Sequence, residues 1–246
     1  MHPAEESARR EKLLVQWLDE IKDHTSELYL LGDIFDFWHE YKHVVPKGFT
    51  RFLGKLAELN DKGIQLHFFS GNHDIWAYGY FESELGATIH HKPYICELNG
   101  LKFFLAHGDG LGPGDLSYKL LKGIFRNKIL QWLFSRLHPN FALWLGKTWS
   151  KSSRYSKGIV ADDFAGEKEE LQILFAKQTL KNKYYDYFIF GHRHIPFDVK
   201  VGEKARVINL GDWIYSFTYG ELDGKTFSLK QYQGNTKDII REEYSI

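Results

Sequence analysis

Four short polar clusters, each following an apolar run, hold the side chains able to do chemistry. They are Gly32-Asp33-Ile34-Phe35-Asp36, Gly71-Asn72-His73-Asp74, Ala106-His107-Gly108-Asp109 and Gly191-His192-Arg193-His194. Their donors are carboxylate, amide and imidazole without thiolate, a set that suits Mn, Fe, Zn or a mixed pair of divalent metals. His192 and His194 alternate, so on an extended chain they share one face. The glycines that lead the clusters let the backbone turn sharply before a ligand. Taken singly, each cluster has a bland reading: Gly-Asp is a turn, and a histidine after a strand is a hydrogen-bonded cap. All four in this order, each after a strand, point to a metal-dependent site. The only cysteine, Cys96, closes no intrachain disulfide and builds no thiolate cage, which fits a reducing compartment.

The elements that must position these clusters follow from periodicity. Leu13, Leu14, Trp17, Leu18 and Ile21 recur at helical spacing between Ala4 and Asp23. The apolar run Leu28 to Leu31 then reads as a buried strand ending at Gly32-Asp33. A helical stretch, Gly48 to Leu59, and a strand, Ile64 to Phe69, repeat the pattern, and Tyr187 to Phe190 forms another strand before Gly191. Asn99-Gly100 and Asp223-Gly224 mark two hairpins, Tyr94–Leu98 with Leu101–Ala106 and Tyr215–Leu222 with Lys225–Gln231. Alternating helices and strands imply an α/β fold with a partly parallel sheet. Ligands in such sheets gather beyond the carboxyl ends of strands, where the four clusters stand. The expected organisation is one domain over residues 1–246, with a helical insertion at 111–160.

The chain carries 32 basic and 32 acidic residues, with 43% hydrophobic and 16% aromatic content, which excludes a disordered chain. Its neutral total conceals a segregation. Between Asp115 and Val160 stand nine basic residues and one acidic one, interleaved with bulky aliphatic and aromatic side chains. Basic amphipathic helices of this kind lie on anionic membranes. The same pattern also fits an acyl-chain pocket wall, or an ordinary cap packed on the sheet, and the tryptophans of the chain are read as core and not as ligand stackers. The basic residues line no polar groove suited to nucleic acid. No apolar run is long enough for a spanning helix, and the N-terminus lacks a signal-like apolar segment. The expectation is a cytoplasmic protein peripherally associated with the inner membrane.

The order G-D-x-x-D, G-N-H-D, H-G-D, G-H-x-H resembles the calcineurin-like metallophosphoesterases. That resemblance, spanning roughly Tyr29 to Tyr232, implies a four-layer α/β/β/α sandwich with the insertion as a helical lid. It also implies two divalent metal ions, most often Mn. By it, Asp33 bridges the metals, Asn72, His107 and His192 complete one site, and His194 belongs to the other. His73, with Asp74 as orienting partner, stabilises or protonates the reacting phosphate. Two metals about 3.5–4 Å apart can clamp a phosphate and lower the pKa of a water between them. The family's opening D-x-H motif is absent, since His2 is the only histidine before the first helix. Either the first strand is encoded just upstream of Met1, which is the expectation, or the first metal site is stripped.

Further residues are similar to the UDP-2,3-diacylglucosamine pyrophosphatases of lipid A biosynthesis. They are Gly32 to Trp38, His107-Gly108-Asp109 with Asp115 and Tyr118, and the basic insertion leading to Gly191 through Pro196. The resemblance implies hydrolysis of the pyrophosphate of a UDP-linked diacylated glucosamine, giving UMP and a lipid monophosphate. Asp115, Tyr118 and Arg154 would contact that substrate. Many such enzymes carry Arg where this chain has His73. The alternatives are a soluble phosphodiesterase of other nucleotides, or a non-catalytic metal-binding module if the first motif is truly lacking.

Overall fold

Leu18 and Trp17 are the buried apolar residues among those described on the first helix, α1 (Ala4–Ile21), in line with the helical spacing of its apolar residues. The computed structural model describes residues 4–111, 122–156, 164, 166–232 and 236–238. The chain divides into two units, Met1–His91 with Leu116–Gly158, and Lys92–Asp115 with Ile159–Ile246.

In the first unit α1 is joined to α2 (Thr50–Asp61) by a capping contact. The N-cap of α2, Phe49, has no side-chain acceptor of its own. Glu11 of α1 supplies one, taking the amides of Arg51 and Phe52 at 3.1 and 3.3 Å. These are among the donors every helix start leaves unpaired, and the carboxylate also meets the positive end of the helix dipole. Strands β1 (Glu27–Leu30), β2 (Gln65–Phe69) and β3 (Thr88–His90) form a parallel sheet in that order. Leu30 stands opposite Phe68, so the residues after both strands emerge level with one another. Phe35, Trp38, Phe68 and Phe81 are buried together, with ring centroids 4.3–5.8 Å apart in the Phe35–Trp38, Phe35–Phe81, Trp38–Phe81 and Phe68–Phe81 pairs. Phe81 lies on a short helix, α3 (Tyr80–Ser83).

Residues 122–156 of the insertion lie within this unit and are largely helical. Asn127 caps α4 (Lys128–Phe134), its side-chain oxygen accepting from Ile129 and Leu130. The longer α5 (Pro139–Ser156) packs in an unusual sense. Ala142, Gly146 and Ser150, one turn apart, are the buried residues among its described side chains. A Cβ at Gly146 would run into the Phe37 ring, so the helix lies as close as a bare Cα permits. Its large side chains face outward: Phe141 is 50% exposed and Trp144 59%. On α4, Ile129, Trp132 and Leu133 are likewise at least half exposed. Trp17, Trp38 and Trp76 are core as expected, but Trp132, Trp144 and Trp149 are not. The correction has a simple cause: α5 packs through its small residues, and the tryptophans occupy the other side.

In the second unit the Asn99-Gly100 turn joins β4 (Tyr94–Leu98) to β5 (Leu101–Ala106) at the expected boundaries. The five-stranded sheet runs β4-β5-β6-β8-β7, with β6 (Tyr187–Phe190), β7 (Pro196–Val201) and β8 (Ala205–Leu210). Its central strands β5, β6 and β8 are parallel, and α6 (Leu171–Leu180) buries Ile173 and Ala176 in a core with Phe104, Phe188, Phe190 and Val207. A second sheet holds β9 (Thr218–Asp223), β10 (Thr226–Tyr232) and β11 (Thr236–Asp238). The hairpin strand expected from Tyr215 begins instead at Thr218. The amides of Ile214, Tyr215 and Ser216 all turn in to one oxygen of Asp212, which holds that stretch out of the ladder. The α/β class expected from the sequence is the class observed.

Candidate active site

Asp33, Asn72, His73 and Asp74 lie on the loops after β1 and β2 of the first unit. The parallel register sets Asp33 beside Gly71, and a Cβ at Gly71 would collide with the Asp33 carboxylate and amide. Only glycine lets these two loops meet. They are then laced together. Asp33 Oδ1 accepts from the His73 amide at 2.9 Å. Asp74 is fully buried, and its two oxygens accept from the Gly71 amide at 2.6 Å and the Ile34 amide at 2.9 Å. The His73 ring turns its Nδ1 to the Ser150 hydroxyl at 2.8 Å and the Asp36 carbonyl at 3.1 Å. The hydrogen bonds of the Asp74 carboxylate thus fasten the loop, while Ser150 and Asp36 meet the ring.

His107, His192 and His194 belong to the second unit. Ala106 pairs with Phe190 across β5 and β6, and the next step keeps register through a bond from the Gly191 amide to the His107 carbonyl. That alignment brings His107 Nε2 and His192 Nδ1 to 3.2 Å, with His107 buried. Two nitrogens each about 2.1 Å from one divalent ion stand about 3 Å apart when they are neighbours in its coordination sphere. The pair therefore fits a shared metal. His194 Nδ1 lies 3.7 Å from Asp212 Oδ2. Burial would raise the Asp212 pKa, but His194 and the three backbone amides outweigh it and hold the carboxyl below its ordinary value.

Six non-glycine residues among those described have positive φ, and three are predicted ligands: Asp33 at 53°, His192 at 70° and His194 at 57°. Such backbone costs energy and persists where side-chain direction matters more than ease of folding. Asp115 and Tyr118 lie outside the described residues, as does the side chain of Arg154, whose backbone is in α5. Arg193, between the two histidines, pairs with the buried Glu170 at 3.1 Å.

Three supporting residues were not singled out from the sequence. Asn209 and Gln172 are buried, bond to each other at 2.9 Å, and both donate to the Gly191 carbonyl at the head of the His192 loop. Asp212 orients His194. A signal for two of them was present, because Val207-Ile208-Asn209-Leu210-Gly211-Asp212 repeats the apolar run followed by Gly-Asp.

Comparison with known proteins gives the same direction. Residues 8–196 match the calcineurin-like phosphoesterase family. A Porphyromonas gingivalis protein named UDP-2,3-diacylglucosamine hydrolase is 39% identical over 235 residues, covering 91% of this chain and 90% of that protein. A Pseudomonas putida protein of the same name is 26% identical over 238 residues, covering 95% and 96%. Among solved structures, an archaeal phosphodiesterase aligns over 93% of this chain and 91% of its own, with 13% identity and a TM-score of 0.40.

Proposed function

From the premise that this chain belongs to the calcineurin-like phosphoesterase family and is a metal-dependent hydrolase, we propose that it cleaves the pyrophosphate of a UDP-linked diacylated glucosamine. The products are UMP and a lipid monophosphate, as in lipid A biosynthesis. The observation that carries the reading is the extent of likeness to the Porphyromonas gingivalis hydrolase, which runs through the insertion as well as the clusters. The outward aromatic faces of α4 and α5 support it, since a diacylated substrate needs apolar surface outside the protein core.

Asp33, Asn72, His107, His192 and His194 are the residues proposed to hold two divalent ions, with Mn as the expected metal. When bound, such ions polarise the phosphoryl oxygens and supply a nucleophile from water near neutral pH. His73 faces the phosphate with an N–H and offsets the negative charge that develops there, or gives its proton to the departing oxygen. Asp74 keeps His73 in place by holding the loop. Asp115, Tyr118 and Arg154 are proposed substrate contacts.

Nine basic residues in the insertion, beside exposed Trp132 and Trp144, favour action at the anionic cytoplasmic face of the inner membrane. No helix among the described residues is long and apolar enough to cross a membrane, so attachment would be peripheral. The direct assay is UMP release from UDP-diacylglucosamine with and without Mn, in wild type and His107→Ala. Mn-dependent release that is lost in His107→Ala is expected. Turnover of simple nucleotide phosphodiesters without any UMP release from the lipid substrate would overturn the substrate assignment. For the membrane, replacing both Trp132 and Trp144 by Ser should weaken sedimentation with phosphatidylglycerol vesicles by at least about tenfold and leave Tm unchanged. Undiminished binding would count against the peripheral reading.

A further inference from the structure

We propose that Ser150 is a positioning residue for His73, and that through it the insertion helix α5 sets the ring used in hydrolysis. The proposal rests on the catalytic role given to His73 above and extends it to a residue far away in sequence.

Ser150 is 2% exposed, and among the described residues its hydroxyl is bonded to His73 alone, at 2.8 Å. Serine and threonine hydroxyls in helices commonly turn back to the carbonyl four residues earlier. Thr148, on the same helix, does so, bonding to the Trp144 carbonyl at 2.8 Å. Ser150 does not, and points its one polar group across to an imidazole 77 positions earlier in the chain. A buried hydroxyl with one partner loses much if that partner is removed, because water cannot replace it.

The chemistry of the three atoms fixes the ring. The Asp36 carbonyl, 3.1 Å from Nδ1, can only accept a hydrogen bond. Nδ1 therefore carries a hydrogen, which Asp36 and the Ser150 oxygen share, and Nε2 is the nitrogen that acts on the phosphate. The Asp36 carbonyl and the Ser150 oxygen stand on different elements and together set the direction in which Nδ1 points. The approach is possible because Ala142 and Gly146 precede Ser150 on the same helix face and let α5 lie against Phe37. Trp149, adjacent to Ser150, is 37% exposed on the outward side. The helix that offers apolar surface to a lipid thus also holds the ring.

The test uses the intact chain, bis-p-nitrophenyl phosphate with Mn, and the variants Ser150→Ala, Ser150→Thr, His73→Gln and the Ser150→Ala/His73→Gln double. Ser150→Ala should lower kcat about tenfold with KM changed less than about twofold, and Ser150→Thr should restore most of it. In the His73→Gln background the Ser150 change should cost nothing further, which a merely structural role would not produce. A second readout needs neither metal nor turnover. In the ring-nitrogen NMR spectrum of the metal-free protein, the His73 signals, assigned by their loss in His73→Gln, should move in Ser150→Ala and return in Ser150→Thr. Full activity in His73→Gln would remove the role of His73 and this inference with it. A crippled His73→Gln beside a Ser150→Ala variant unchanged in turnover and in ring shifts would overturn the inference alone. UMP release from the lipid substrate plays no part in these readouts, so failure of the substrate assignment is separately visible.

Discussion

Asp74→Asn is the perturbation that most sharply probes how the two catalytic loops of the first unit are held. The buried carboxylate spans them, one oxygen on the Gly71 amide at 2.6 Å and the other on the Ile34 amide at 2.9 Å. Asparagine keeps the size but has one acceptor, so its NH2 must face one of those backbone donors. Hydrogen bonds to a charged group contribute about 1.5–3 kcal/mol each, and a buried donor left unpaired costs about 1–3 kcal/mol. Losing one bond outright and weakening the other therefore destabilises by about 3 kcal/mol. For a chain of this length that lowers Tm by about 6–12 °C, read by calorimetry or circular dichroism. Turnover should fall as well, because the His73 amide is hung on Asp33 across the same pair of loops. A Tm within about 2 °C of wild type would refute the reasoning, since it would mean the carboxylate contributes no more than a neutral amide.

Two further outcomes follow from packing. His39 is fully buried, has no hydrogen-bond partner at either ring nitrogen among the described residues, and sits against Tyr41, Trp76 and Phe134. Burial pushes its pKa down to about 4. A folded-state value below the unfolded one near 6.5 means stability is whole above about pH 6.5 and is lost as pH falls toward 4, on the order of 2–3 kcal/mol. His39→Phe should remove that part of the acid sensitivity, measured as Tm against pH; an unchanged slope between pH 6.5 and 4 would contradict it. Gly146→Val should drive α5 off Phe37, costing about 1–3 kcal/mol in Tm measurements and reducing turnover by withdrawing Ser150 from His73. Wild-type stability in that variant would show that the helix is not held there.

The clusters were legible because their signal is local: an apolar run, then glycine, then a ligand type. The hairpin at Asn99-Gly100 and α1 were legible for the same reason. What stayed hidden depends on tertiary neighbours. β7 and β8 carry Asp198, Lys200 and Arg206, and the partial burial of the Arg206–Asp198 ion pair is not visible in the chain alone. β3 has three residues, too few for a period to declare itself. Gln172 reads as an ordinary polar residue at the start of a helix until the Gly191 carbonyl is seen above it. The packing face of α5 escaped because a search for helix faces follows large apolar residues, and here the large ones mark the side that does not pack. Ser150 was hidden by the same inversion.

The positive φ angles at Asp33, His192 and His194 set a limit on engineering this chain. A left-handed conformation costs a residue with a Cβ roughly 1 kcal/mol or more, and glycine or asparagine much less. A redesign that scores backbone strain would select glycine or asparagine at these positions, set at Asp33 against the bond its carboxylate accepts from the His73 amide. Each would also delete a donor that the family's chemistry is proposed to need. Substitutions that relieve backbone strain and substitutions that abolish turnover would then fall on the same three residues, and selection for relief of strain alone would work against the site.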